Sequence, residues 1–148
     1  MEKYAREFLG RREYIEALQG TITKWEKIAV ASKTKVLHNV TRLMNTPCSL
    51  CGLHYEFEDE VWDRKEYVYP TACDFCVLGE ATDRERSFCH PYYSKFDAAL
   101  EDLEALLDGD ENPTSEQYYQ IMHKNASALV GLLKRYLTMA KKVSNGSN

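Results

Sequence analysis

The sequence predicts a mainly α-helical protein: a bundle of three to four helices interrupted by one cysteine-rich insertion that contains a short strand or hairpin. Three observations carry this. Apolar residues recur at steps of three and four on both sides of residues 45–92. Two Cys-x-x-Cys pairs, CSLC at 48–51 and CDFC at 73–76, fall inside that interval. Pro47, Gly52, Pro70, Gly79 and Pro91 punctuate it. At 148 residues, 44% hydrophobic and 28% charged, the chain fits a single domain, 1–148, with a real core.

A helical block covers 2–44. Ile15, Leu18, Ile22, Trp25 and Ala29, then Ser32, Val36, Val40 and Leu43, form a stripe with heptad character in its first half. Gly20-Thr21 interrupts it and Thr23-Lys-Trp-Glu26 has capping-box spacing, so the block is either one long helix or two, the second starting near Lys24. The insertion, 45–92, has little that folds unaided; Glu66-Tyr-Val-Tyr69 is its strand-like piece. Ser94-Lys-Phe-Asp97 has cap spacing for a helix over 93–109 that gathers Phe96, Ala99, Leu100, Leu103, Leu106 and Leu107 on one face, with Gly109 as its stop.

A long helix over 114–143 carries Tyr118, Met122, Asn125, Leu129, Leu132, Tyr136, Met139 and Val143 at unbroken steps of four and three, a span of roughly 38 Å. Its heptads, with Asn125 at a core-type position, are compatible with a homodimer through this C-terminal helix or with an intramolecular bundle. Residues 144–148 form a disordered tail.

The net charge of −4 hides a division along the chain: residues 1–46 carry nine bases and five acids, 47–92 four and ten, 93–112 one and seven, and 113–148 five and one. Acidic middle and basic ends attract each other in a folded chain, and no segment is basic enough to announce nucleic acid. Seven acids in the 15 residues 97–111 form a solvated face opposite Leu103 and Leu107, or a surface for a basic partner. No apolar run approaches the ~20 residues of a membrane span. The start, MEKYARE, lacks a secretory pattern, so the chain is expected in a reducing cytoplasm, where five cysteines are poorly explained by disulfides.

Two Cys-x-x-Cys turns supply the four thiolates of a closed tetrahedral zinc site. The 21 residues between the pairs lie at the edge of the usual spacing. Zinc held this way stabilises a short segment by on the order of 10 kcal/mol. Cys48, Cys51, Cys73 and Cys76 are the first choice of ligands, with Cys89 the leading substitute and His54 or His90 as competitors. A redox pair, buried unligated cysteines and an iron–sulfur cluster use the same residues.

Cys89-His90 is not a catalytic pair, because adjacent side chains rarely face each other, and no nucleophile elbow, phosphate loop, dinucleotide fingerprint or His-Glu-x-x-His occurs. The chain is therefore read as a non-enzyme. Histidine 38 reads as a packing or surface residue, and His123 as exposed. Around the cysteines, Tyr55, Trp62, Tyr67, Tyr69, Tyr92 and Tyr93 interleave with Arg64, Lys65, Arg84 and Arg86. Such a cluster fills space in an apolar-poor segment, makes protein-binding hot spots, or stacks the bases of a nucleotide or nucleic acid.

The order Trp25-Glu-Lys-Ile-Ala29 on a helix, Cys48-x-x-Cys51, Cys73-x-x-Cys76, a spacer with Gly79, then Cys89-His-Pro-Tyr92 ahead of an acidic helix resembles a group of small uncharacterised proteins of bacteriophages and prophages. The resemblance covers roughly residues 20 to 107. It departs at Val77, where members often have Pro, and in a longer gap between the pairs, so that Glu56 to Tyr69 is this chain's own insertion. It implies a phage origin, hence the cytoplasm of a host cell, and implies that Cys89 belongs to the cysteine site. The expectation is then a non-enzymatic phage protein with structural zinc that binds a host protein, as an anti-defence or host-takeover factor; the alternative is a nucleotide or nucleic-acid binding protein.

Overall fold

A computed structural model describes residues 3–63, 75–81, 87–107 and 115–146. The order of elements is α1 Lys3–Phe8, α2 Arg12–Lys33, α3 Leu37–Met44, α4 Ser49–Asp63, β1 Gly79–Ala81, β2 Ser87–Cys89, α5 Pro91–Leu107 and α6 Glu116–Ser144. The mainly helical expectation holds. Among the described residues no helix is long and apolar enough to cross a membrane.

The chain forms two compact units, and α2 and α6 each contribute one segment to both. The first comprises Met1–Ile22, Pro47–His90 and Leu133–Asn148; the second comprises Thr23–Thr46 and Pro91–Leu132.

The helix α2 runs unbroken through Gly20 and Thr21. Glycine there is not a stop: a Cβ at Gly20 would come within 2.8 Å of Ser49 Oγ, so its absence lets the start of α4 approach. Thr21 keeps the helical path by donating its hydroxyl to Ala17 O at 2.9 Å. The break comes instead at Lys35, whose φ of +59° sets the left-handed cap. Val36 N–H donates to Ala31 O at 2.9 Å and Lys35 N–H to Ser32 O at 3.3 Å, which makes the turn a Schellman motif.

In the first unit α4 is the largest departure from expectation. The sequence reading gives the insertion one strand-like piece and little else that folds unaided, yet Leu50, His54, Phe57 and Val61 recur at steps of four and three and are all buried. Phe57 stacks on Phe8 with centroids 4.4 Å apart, and Phe75 meets Phe8 edge-on at 5.4 Å. Arg11 lies 4.0 Å above the Phe8 ring and grips both carboxylate oxygens of Glu60 at 2.7 and 3.1 Å. An aromatic core, capped by one bidentate ion pair, thus holds α1, α2, α4 and the segment around Phe75.

β1 and β2 pair antiparallel, with Gly79 opposite Cys89 and Ala81 opposite Ser87. The strand expected at 66–69 lies outside the described residues.

In the second unit Trp25 packs edge-on against Phe96 at 5.1 Å and against Tyr93 at 5.8 Å. Ile28, Val40, Leu103, Met122 and Leu129 are buried with them. α5 starts at Pro91, two residues before the expected boundary, because proline suits the first helical position and loses no needed N–H. Glu101, Asp102 and Glu104 are exposed, as a solvated acidic face requires. His123 is half-buried rather than exposed, and its Nδ1–H donates to Ala29 O at 2.9 Å. Lys35 and Glu116 form an ion pair.

The buried stripe of α6 is not the eight-residue series of the sequence. Tyr119, Met122, Ala126, Leu129, Leu133 and Ala140 face inward, whereas Met139 and Val143 are 44% and 45% exposed. A strict seven-residue repeat drifts around a straight helix by ~20° per heptad, so its far end rotates out of the core. Asn125 donates Nδ2–H to Ile121 O at 2.8 Å, which spends its amide within the helix.

The two registers make opposite predictions for neighbouring positions. Leu133→Ala should lower unfolding free energy by about 2–5 kcal/mol, as a buried truncation does. Met139→Ala should stay within about 0.5 kcal/mol. Urea unfolding midpoints with unchanged slopes would check both.

Candidate metal centre

The cysteine site is built on the first turn of α4 and on the turn that follows Phe75. Cys48 precedes α4 directly, and Cys51 lies in its first turn and is exposed. Cys48 Sγ lies 3.6 Å from Thr21 Oγ1. Its thiol is pulled down to about 5, first by the hydrogen bond from the Cys51 side chain, against the opposing effect of burial, and then by the backbone N–H groups of Cys51 and Leu50. One sulfur therefore collects several donors, which favours its thiolate form. That is the form a metal binds.

Cys76 is buried between Phe75 and Val77, and Tyr14 fixes both neighbours. The Tyr14 hydroxyl donates to Phe75 O at 2.6 Å and accepts Val77 N–H at 3.1 Å. Gly79 N–H then donates to Cys76 O at 3.0 Å, closing the turn that leads into β1. Burial, with the nearby Cys76 and Cys48 thiols, raises the Tyr14 phenol far above its ordinary range, so the hydroxyl remains a neutral donor and acceptor. None of Cys48, Cys51 and Cys76 is in a disulfide.

His54, one turn beyond Cys51, is 1% exposed. Its ring centroid is 5.7 Å from that of Tyr14. Burial lowers its imidazole to about 4, which keeps it neutral. Its Nε2 is buried with no hydrogen-bond partner.

The described residues bring three of the five expected ligands, Cys48, Cys51 and Cys76, into one unit. Cys73 lies outside the described residues, and of Cys89 only the backbone is described, paired with Gly79. Among the described residues no three His, Cys, Asp or Glu side chains converge on one point at metal distance. Thiol sulfur and imidazole nitrogen are ligand types that zinc takes, so the residue types, and not their placement here, suit that ion.

Of the expected binding cluster, Trp62 is 49% exposed on α4. Tyr92 and Tyr93 are half-buried, Tyr93 against Trp25. Arg64, Tyr67, Tyr69, Arg84 and Arg86 lie outside the described residues. Tyr55, named in the aromatic cluster but not among the expected binding residues, is 64% exposed one helical repeat before Trp62. The signal was present: Tyr55, Asp59 and Trp62 share a face once α4 is recognised as a helix.

Two measurements probe this geometry. Tyr14→Phe leaves Phe75 O and Val77 N–H unpaired and should cost about 1–3 kcal/mol in urea unfolding. In chelator-treated protein, alkylation of Cys48 should remain fast at pH 7 and fall to half its plateau near pH 5, because the thiolate is the reactive form. A half-point near the ordinary thiol value would show that the donors around its sulfur are absent. Comparisons with protein-family models, curated proteins and solved structures return no match.

Proposed function

We propose that this chain is a non-enzymatic binding protein in which cysteine-held structural zinc sets the insertion, and that α4 presents the surface that engages a host protein. The observation that supports the reading is the two-sided character of α4. Its first turn carries Cys48 and Cys51, and its outer face carries exposed Tyr55 and Trp62. Large aromatics exposed on one helix face are among the residues that dominate protein interfaces. Apart from Glu60, which Arg11 holds, the same helix carries Glu56, Glu58, Asp59 and Asp63 and no Lys or Arg, so a partner with a basic contact surface suits it. The phage resemblance supplies the host cell as the setting and an anti-defence or takeover role.

The nucleotide or nucleic-acid reading draws less support from the described residues. Trp62 sits among carboxylates that repel phosphate, and Tyr93 is engaged with Trp25.

The native mass spectrum of protein expressed without added metal should show one zinc per chain and no nucleotide. Trp62→Ala should leave that zinc in place and weaken capture of a host protein from bacterial lysate at least about tenfold. No zinc, or a nucleotide-sized added mass, would overturn the reading. Capture unaffected by Trp62→Ala would remove α4 as its surface.

A further inference from the structure

Cys48 and Cys51 make a contact of their own at the start of α4. Cys48 directly precedes the first helical residue, and its carbonyl accepts the N–H of Gly52 at 3.3 Å, the first bond of the helix. It is therefore the N-cap, and Cys51 is the third residue of the helix. Side chains at these two positions turn toward each other, as they do in a capping box. Here both carry sulfur, and the Cys51 side chain hydrogen-bonds the sulfur of Cys48. Neither is in a disulfide.

The two thiols differ in access. Cys51 is exposed, whereas Cys48 is half-buried. The Cys48 sulfur also takes the backbone N–H groups of Leu50 and Cys51 and lies 3.6 Å from Thr21 Oγ1, so it is held facing its partner. One sulfur meets solvent and the other stands behind it. Thiol–disulfide exchange needs that arrangement, because an outer thiol must be reached first and a second thiol must be at hand to resolve the mixed disulfide.

We propose that Cys48 and Cys51 are a reversible redox site whose oxidant is a low-molecular-weight disulfide, with Cys51 as the attacking thiol and Cys48 as the resolving one. In the first step the Cys51 sulfur attacks one sulfur of the reagent. The reagent's S–S bond breaks, a mixed disulfide forms on Cys51, and one small thiol leaves with the Cys51 proton. In the second step the Cys48 sulfur attacks that of Cys51. The mixed bond breaks, the Cys48–Cys51 bond forms, and a second small thiol leaves with the Cys48 proton. Two cysteine thiols are oxidised by two electrons and one small disulfide is reduced to two thiols. The inference goes beyond the zinc-stapled reading, since it concerns the ion-free chain; closure withdraws two of the sulfurs that reading counts on, in the first turn of the helix that presents Tyr55 and Trp62.

The test equilibrates the full-length, chelator-treated chain with mixtures of oxidised and reduced glutathione, blocks remaining thiols, and maps tryptic peptides by mass. Cleavage isolates the pair on residues 43–64, apart from Cys73 and Cys76 on 66–84 and Cys89 on 87–95. The expected product is peptide 43–64 lighter by two hydrogens, restored by a thiol reductant. In Cys48→Ser the same peptide should instead keep one glutathione, on Cys51. The equilibrium constant for closure should be at least about tenfold larger in the folded chain than in urea, because the fold already holds the sulfurs in contact. Equal constants would overturn the proposal, as would a wild-type peptide 43–64 that stays reduced, retains glutathione or is linked to another peptide. Should closure fail while the untreated chain still shows one zinc in its native mass spectrum, the redox site is refuted and the zinc reading stands.

Discussion

The hydroxyl of Tyr14 is bonded to both peptide groups that flank Cys76, and the placement of the cysteine turn depends on that contact. Phe75 to Leu78 are all buried, and beyond Phe75 they lie in a turn rather than in a helix or strand. A buried backbone polar group must find a partner or cost free energy comparable to a lost hydrogen bond. Tyr14 provides two such partners from one atom, and its ring, parallel to Phe57 at a centroid distance of 6.0 Å, belongs to the aromatic core at the same time. The site therefore inherits its position from the core of the first unit.

The same dependence explains which parts of the chain were legible in the sequence. The helices flanking the insertion could be read from period because their burial is repetitive: Leu18, Ile22, Trp25 and Ala29 are all inside. Gly20 misled because a glycine required for close approach by Ser49 has the same letter as one required for a stop. Lys35 misled in the opposite sense, since it adopts a positive φ without being glycine. The α6 register failed for a geometric reason. Alanines 126 and 140 lie inside where the helices need small residues, and a search for large apolar residues passes over them in favour of Met139 and Val143.

At the site, residue identities were legible and their support was not. Cys-x-x-Cys spacing points to the thiols directly, whereas Tyr14 lies 61 residues from Phe75 and has no motif of its own. The helix α4 was hidden by its polar content: five of its 15 residues are acids, and the turn-forming residues around it suggested irregular chain. His54 occupies an interior position in a stripe that becomes apparent only when a histidine is allowed to stand among Leu50, Phe57 and Val61.

Metal was expected to stand in for a core that the insertion lacks, and the packing changes what metal needs to do. Phe57 and Phe75 are buried from the insertion itself, and burial of each such ring is worth roughly 1.5–3 kcal/mol. Together with the Tyr14 hydrogen bonds, these contacts anchor α4 and the Phe75 segment to α1 and α2 before any ion binds. Under the zinc proposal the work left for an ion would be local: to join the first turn of α4 to the turn at Cys76. That turn feeds β1, and β1 pairs with the strand that ends at Cys89, so a constraint at Cys76 extends through the hairpin to the residue before His90. In the proposed zinc-stapled form, an ion at this point would organise a short path from α4 to β2, and the aromatic core supplies the platform on which that path is fixed.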